Sequence, residues 1–375
     1  MNAWTDDYLS SIVKAYNDND QNQTKAAKEL GLKRTTFQAQ LAAASGRNLN
    51  GDYSGGDLPV GQSIERATVH YKDGKRTNEW VKIKTDKNLV DIIDAMTSHF
   101  EGYKGGAKLI PAPKEVIKNR MTVYNIADQH LGLYAWKPEA GANWDLSLGI
   151  ESLRTATAEL VSSAAPTEDA VILNLGDFFH ADNASNRTER SGNALDVDGR
   201  YAKILEAGVQ LMIDCVSLAL RKHKRVTVRC LPGNHDPHSS VALAIGIKMF
   251  FSKNKRVTVD MDPSPFFVLK YGKALVTAAH GDKVKPGDMS GFVAAQFPKL
   301  WGDTLYRYAY FGHVHHKSKG GEAGGMLWET FQTLSAKDSW HFGMGYSSGR
   351  SMTSITLSKD RGEIGRNIVP LMEAA

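Results

Sequence analysis

The chain has 375 residues, enough for two or three domains and for a core that needs no disulfide or metal staple. Its 46 lysines and arginines against 41 acidic residues give a net charge of +5, which permits nucleic-acid binding without demanding it. Only two cysteines, Cys215 and Cys230, and no Cys-x-x-Cys exclude a disulfide scaffold and a thiolate zinc site. The start, Met1–Asp7, lacks an apolar signal region, and no stretch approaches the roughly 18 apolar residues of a membrane span. A cytoplasmic protein with no membrane partner is expected.

Residues 1–44 read as a small all-α domain. Tyr8, Ile12 and Tyr16 form an apolar stripe on a first helix. Thr24 is expected to cap a second helix, whose Ala26, Ala27 and Leu30 face a core. Gly31 supplies a positive-φ turn, Leu32 packs in it, and Phe37 and Leu41 lie four apart on a third helix. Thr24–Leu41 resembles a helix-turn-helix of the Fis type. That resemblance implies DNA contact by Lys33, Arg34, Thr35, Gln38 and Gln40. Residues 45–60, rich in Gly, Asn, Asp and Ser, read as a linker. Residues 61–117 read as a small α+β module. Its strands 67–71 and 79–85 alternate around the Lys72–Lys75 turn, and Asn88 caps a helix bearing Leu89, Ile92, Ile93 and Met96. Gly102–Gly106 and Pro111–Pro113 mark a second linker.

From residue 118 to 375 strands alternate with helices, which predicts a layered α/β domain. Strands are expected at 121–126, 170–175, 226–231, 257–261, 266–270, 273–279 and 308–311, with more up to Leu371. Helices are expected at 145–164, 198–224, 240–252 and 288–300. Five short motifs each follow a predicted strand: Asp128-Gln-His130, Gly176-Asp-Phe-Phe-His180, Gly233-Asn-His-Asp236, His280-Gly281 and Gly312-His-Val-His315. Six of the twelve histidines fall inside them, so a common cause is needed. Metal coordination is that cause: alternate side chains leaving a strand can converge on one point. Carboxylate, imidazole and amide donors without thiolate suit Mn2+ first, with Fe2+ or Zn2+ as alternatives.

In this order the motifs resemble the calcineurin-like metallophosphoesterase superfamily, over roughly residues 118–371. The resemblance implies a β-sandwich flanked by helices and a site for two divalent metal ions. Asp128, His130 and His315 would hold the first ion; Asn234, His280 and His313 the second; Asp177 would bridge both. Gly233 and Gly312 would be turn residues. The implied chemistry is attack on a phosphodiester by a hydroxide shared between the metals. His235 would protonate the leaving oxygen, and Asp236 would orient His235 and favour its charged form.

The second motif ends in His180 after two aromatics, which resembles the DNA-repair exonucleases of that superfamily rather than its Ser/Thr phosphatases. His180 is thereby implicated in nuclease chemistry. Arg187, Arg190 and Arg200, in the polar stretch that follows, are candidates for gripping substrate phosphate. Asp182, His238 and His316 are read as solvated or supporting neighbours. The basic run Arg221–Arg225 ends a predicted helix, where the macrodipole favours cations. A helix-turn-helix followed by a phosphoesterase resembles proteins of tailed phages and prophages, whose cytoplasm would be that of a bacterial host. The leading expectation is a metal-dependent phosphodiesterase acting on DNA. Two others stay open: a phosphoesterase for small or cyclic nucleotides, and a DNA-binding regulator that has lost catalysis.

Overall fold

A computed structural model describes residues 4–19, 22–46, 62–72, 75–85, 109–188 and 191–371. The chain divides into two compact units, Met1–Val90 and Asp91–Ala375. Of the linker predicted at 45–60, residues 45 and 46 belong to a helix that runs to Gly46; the remainder, the helix expected after Asn88, Gly102–Gly106 and Arg190 lie outside the described residues.

In the first unit, α1 (Asp6–Asp18), α2 (Gln23–Glu29) and α3 (Arg34–Gly46) enclose a small core of Leu9, Ile12, Val13, Ala26, Ala27, Phe37, Leu41 and Ala44. Asn22, not Thr24, caps α2: its side chain accepts the N–H groups of Thr24 and Lys25. Leu30 is not core but sits half-exposed at the end of α2, one residue before Gly31 turns the chain at φ 64°. Strands β1 (Gln62–Lys72) and β2 (Lys75–Thr85) form the expected antiparallel hairpin.

The second unit is a sandwich of two mixed sheets. One has six strands in the order β13-β12-β3-β4-β5-β6: Gly362–Leu371, Arg350–Ser358, Ile117–Ile126, Thr167–Asn174, Arg225–Cys230 and Val257–Asp260. The other has five in the order β10-β11-β9-β8-β7: Ser318–Gly320, Leu327–Thr330, Tyr306–Phe311, Ala274–Ala279 and Phe266–Tyr271. Period-two alternation sorts the side chains between layers. Met121, Val123, Val171, Leu173, Val276, Ala278, Tyr310, Ile355 and Leu357 meet between the sheets. Tyr124, Ile126, Ile172 and Val228 point the other way, into the helices α5 (Leu146–Ser163), α6 (Tyr201–Lys222) and α7 (Ser239–Phe250). The short helix α4 (Lys137–Ala140) precedes them. Leu275, Ala309 and Phe311 pack against α8 (Met289–Gln296). The helix expected at 288–300 is broken: Phe297 leaves helical geometry at ψ 51° and Pro298 opens α9 (Pro298–Gly302). The fold is therefore the expected α/β sandwich flanked by helices.

Strands β3, β4, β5 and β6 run parallel, as do β8 and β9. Their carboxyl ends therefore open on one edge of each sheet, and that is where all five motifs begin. No described helix is long and apolar enough to cross a membrane.

Candidate metal centre

Each motif leaves its strand under backbone control. Beyond the strand ends the ladder persists for one more bond: Leu175 N donates to Ile126 O (2.8 Å), Leu231 N to Asn174 O (3.0 Å) and Gly312 N to His280 O (3.1 Å). The chain then turns sharply. Seven described non-glycine residues have a left-handed φ, and five of them are Asp128 (47°), His130 (43°), Asp177 (51°), His313 (68°) and His315 (59°). Such conformations cost energy and persist where function requires them. Two glycines are dictated by proximity. A Cβ on Gly312 would lie 2.6 Å from Asp128 Oδ2, and one on Gly233 would collide with Asp177 Oδ1.

The result is two adjoining clusters. Asp128, His130 and His315 bring donor atoms within 4.8 Å of one another, and so do Asp177, His280 and His313. His315 Nε2 lies 3.4 Å from Asp128 Oδ1 and 3.2 Å from His130 Nε2. His280 Nε2 lies 3.1 Å from both Asp177 Oδ2 and Asn234 Oδ1. All seven sequence-predicted ligands are thus brought together: Asp128, His130 and His315 in one cluster, and Asp177, His280, His313 and Asn234 in the other. Asp128 and Asp177 are buried, and both are anchored: His313 N donates to both Asp128 oxygens (2.9 Å each) and His235 N to Asp177 Oδ1 (2.8 Å).

The donor set fits divalent cations. His280 Nδ1 donates to Leu175 O at 2.9 Å, which leaves Nε2, facing the carboxylate, as the nitrogen that a cation would take in exchange for a proton. Burial works against a proton on His280, yet the Asp177 charge and hydrogen bond outweigh it and lift the imidazole to about 10. His315 is raised in the same way by Asp128 against its own burial. Burial also opposes the Asp177 charge, but His280, His235 and His130 hold its carboxyl well below the usual range. Protons here do the work that a cation does better: they neutralise buried carboxylates. His130 and His180 are driven the other way, chiefly by burial and then by His235, His180 to about 3. Both are neutral imidazoles.

His180 stands beside this centre. Its Nδ1 lies 3.3 Å from His130 Nδ1, its ring stacks 5.3 Å from that of His235, and its buried Nε2 has no hydrogen-bond partner. With His130 and His235 it forms a third group of converging nitrogens. His235 donates from Nδ1 to His180 O (2.9 Å), so its Nε2 is left for other work.

The expected role of Asp236 is corrected. Its carboxylate does not orient His235 but accepts four backbone N–H groups: Asp177 (3.1 Å), Phe178 (2.8 Å), Phe179 (3.1 Å) and Gly233 (3.0 Å). It braces the second and third motifs against each other. Burial, then the Asp177 charge, pushes it up to about 7. The His180 carbonyl orients His235 instead.

The other predicted residues are more scattered. Arg187 is exposed and folds back on its own loop, donating to Gly192 O at 2.8 Å. Arg200 is exposed at the start of α6. Asp182 is buried and accepts from His238 N and Ser239 N, capping α7. In the first unit Lys33, Arg34, Thr35 and Gln38 are exposed. Gln40 is not available to DNA: it is 3 % exposed and donates to Tyr8 Oη at 3.1 Å. Its position i+3 from buried Phe37 and next to Leu41 was the signal that it belongs to the core face.

One feature beside the site has no counterpart in the motif reading. A cavity of about 290 Å³ opens against His315, lined also by Lys337, His341, Phe342, Tyr346 and Arg350. Aromatic density in the glycine-rich run Trp340–Tyr346 is its sequence signature.

No family model matches the chain, and no curated protein does. Among solved structures it is similar to a dimetal phosphatase from Danio rerio, at 10 % identity and a TM-score of 0.37, covering 67 % of this chain and 98 % of that one. It is similar to a 5'-nucleotidase precursor from Thermus thermophilus (11 %, TM-score 0.29, 68 % of this chain and 54 % of that one). It is also similar to a NAD nucleotidase from Haemophilus influenzae (10 %, TM-score 0.31, 68 % and 50 %). The chain spans about half the length of these two nucleotidases.

Proposed function

We propose that the chain is a two-metal phosphoesterase that hydrolyses phosphodiester bonds, with DNA as its substrate. The observation that carries this is the pair of adjoining clusters, Asp128/His130/His315 and Asp177/His280/His313, built on left-handed backbone at the converging strand ends. Asn234 completes the second cluster. Two divalent cations, Mn2+ first among them, would supply Lewis-acid charge to a phosphoryl group and its attacking water. The chain's own residues do the rest. Asp177, held by the N–H of His235, is the carboxylate that would be shared by the two ions. With Nδ1 committed to the His180 carbonyl, His235 carries its mobile proton on Nε2, from which it protonates the departing oxygen. Asp236 keeps both loops in register. His180, neutral and buried, acts through His235, whose ring it stacks against and holds by its carbonyl.

The DNA assignment is supported by the short second and third helices around Gly31 and by exposed Lys33, Arg34, Thr35 and Gln38. A reader tethered to a hydrolase raises the local concentration of its substrate. The complete ligand set speaks against a regulator that has lost catalysis. The test gives the Mn2+-loaded protein single- and double-stranded DNA, with Asp177→Ala and His235→Ala as controls. Cleavage lost in both variants is expected. Inert DNA beside turnover of a small nucleotide ester would move the substrate to the small-molecule class.

A further inference from the structure

The cavity against His315 is walled by a segment that holds its aromatic side chains outward. Trp340 is 59 % exposed, Phe342 48 % and Tyr346 39 %, an unusual density for side chains that gain by burial. The segment is nevertheless fixed to the metal centre. The His341 ring stacks on that of His315 at 4.8 Å and 23°. Ser348 Oγ donates to His315 O at 2.8 Å. Asp338 caps the short helix α10 (Ser339–Gly343), accepting from both the backbone N–H and Nδ1 of His341. Tyr346 meets His341 edge-on at 5.2 Å, and the rings of Trp340 and Tyr346 are tilted by 37° with centroids 6.0 Å apart. Lys337, whose ammonium lies 5.9 Å from the Phe342 ring, forms no ion pair with a described residue.

Resting on the phosphodiester reading above, we propose that the Trp340–Tyr346 segment is a stacking platform for a nucleobase next to the scissile phosphate. The substrate class is then single-stranded DNA, or the unpaired end of a duplex. π faces that are exposed and anchored beside a phosphoryl site match a group that is flat, aromatic and joined to a phosphate. A base inside a duplex is already stacked on its neighbours and cannot offer its face. Lys337 supplies a cation at the cavity wall for the flanking phosphate, where a point charge suffices. Stacking of this kind is tolerant of base identity, so the platform selects strandedness and not sequence.

The test compares two fluorescent five-nucleotide strands of equal charge, pentathymidylate and its abasic analogue, binding to the full chain with Mn2+. The background is His235→Ala, so that the strands stay intact, and anisotropy is the readout. The base-bearing strand is expected to bind roughly tenfold tighter or more, the affinity ratio that base stacking provides. Trp340→Ala and Tyr346→Ala are expected to shrink that ratio severalfold, and Trp340→Phe to retain it. Equal affinity for both strands in the parent, or a ratio that survives both alanine changes, overturns the platform. The readout does not depend on turnover. A failure of DNA cleavage would therefore strike the phosphodiester reading alone, and a missing affinity ratio would strike the platform alone.

Discussion

Asp236→Asn tests how the site is braced. Oδ1 of Asp236 accepts from Asp177 N (3.1 Å) and Gly233 N (3.0 Å), and Oδ2 from Phe178 N (2.8 Å) and Phe179 N (3.1 Å). Asparagine keeps one oxygen and sets an NH2 group against the other two N–H groups. Each buried N–H left without an acceptor costs about 1–3 kcal/mol, so the variant should lose about 2–6 kcal/mol of stability. That is a large share of the ~5–15 kcal/mol typical of a folded domain. Urea unfolding of the metal-free protein at pH 8, above the value of about 7 to which Asp236 is raised, measures it. Because Asp177 turns at φ 51° under these bonds, Mn2+ affinity should also fall, by about 10–100-fold. A variant within about 1 kcal/mol of the parent and with unchanged Mn2+ affinity refutes the bracing role.

Gly312→Ala would set a Cβ 2.6 Å from Asp128 Oδ2; Mn2+ affinity by calorimetry should drop about 10–100-fold, and an unchanged value would show that the loop yields freely. His223 is buried, bonded to Tyr124 Oη (2.7 Å) and Thr167 Oγ1 (2.8 Å), and burial lowers it to about 4. It is neutral when folded and takes up its proton near 6.5 when unfolded, so its contribution is intact above pH 6.5 and is lost as pH falls towards 4, by about 3 kcal/mol in all. The stability difference between parent and His223→Gln should shrink over that window; a constant difference contradicts the assignment. Lys33→Ala and Arg34→Ala should each weaken duplex binding and flatten its salt dependence by about one counterion, read by anisotropy against salt; unchanged slopes remove α3 from the interface.

The strands and the ligands were legible for the same reason: alternation marks where a strand runs, and a ligand must sit where it stops. Asp128, Asp177, Asn234 and His313 all lie within four residues of a strand end. What sequence could not reveal is which way a side chain turns back. Asp236 neighbours His235 along the chain, yet its carboxylate serves the backbone of residues 177–179, nearly sixty positions away. Thr24 and Asn22 are both good caps, and only the backbone decides between them. Gln40 is polar, but its helical phase places it in the core beside Phe37 and Leu41. The Trp340–Tyr346 platform carries no motif, since stacking asks for aromatic faces and not for a fixed order of residues.

Seven residues on five loops are proposed to build one centre for two cations. Calorimetric titration of the metal-free protein with Mn2+ tests it most directly. Two ions per chain should bind, and Asp177→Ala, which removes the shared carboxylate, should bind at most one tightly. A parent that takes up no Mn2+, or an Asp177→Ala variant that binds two ions as tightly as the parent, would contradict it.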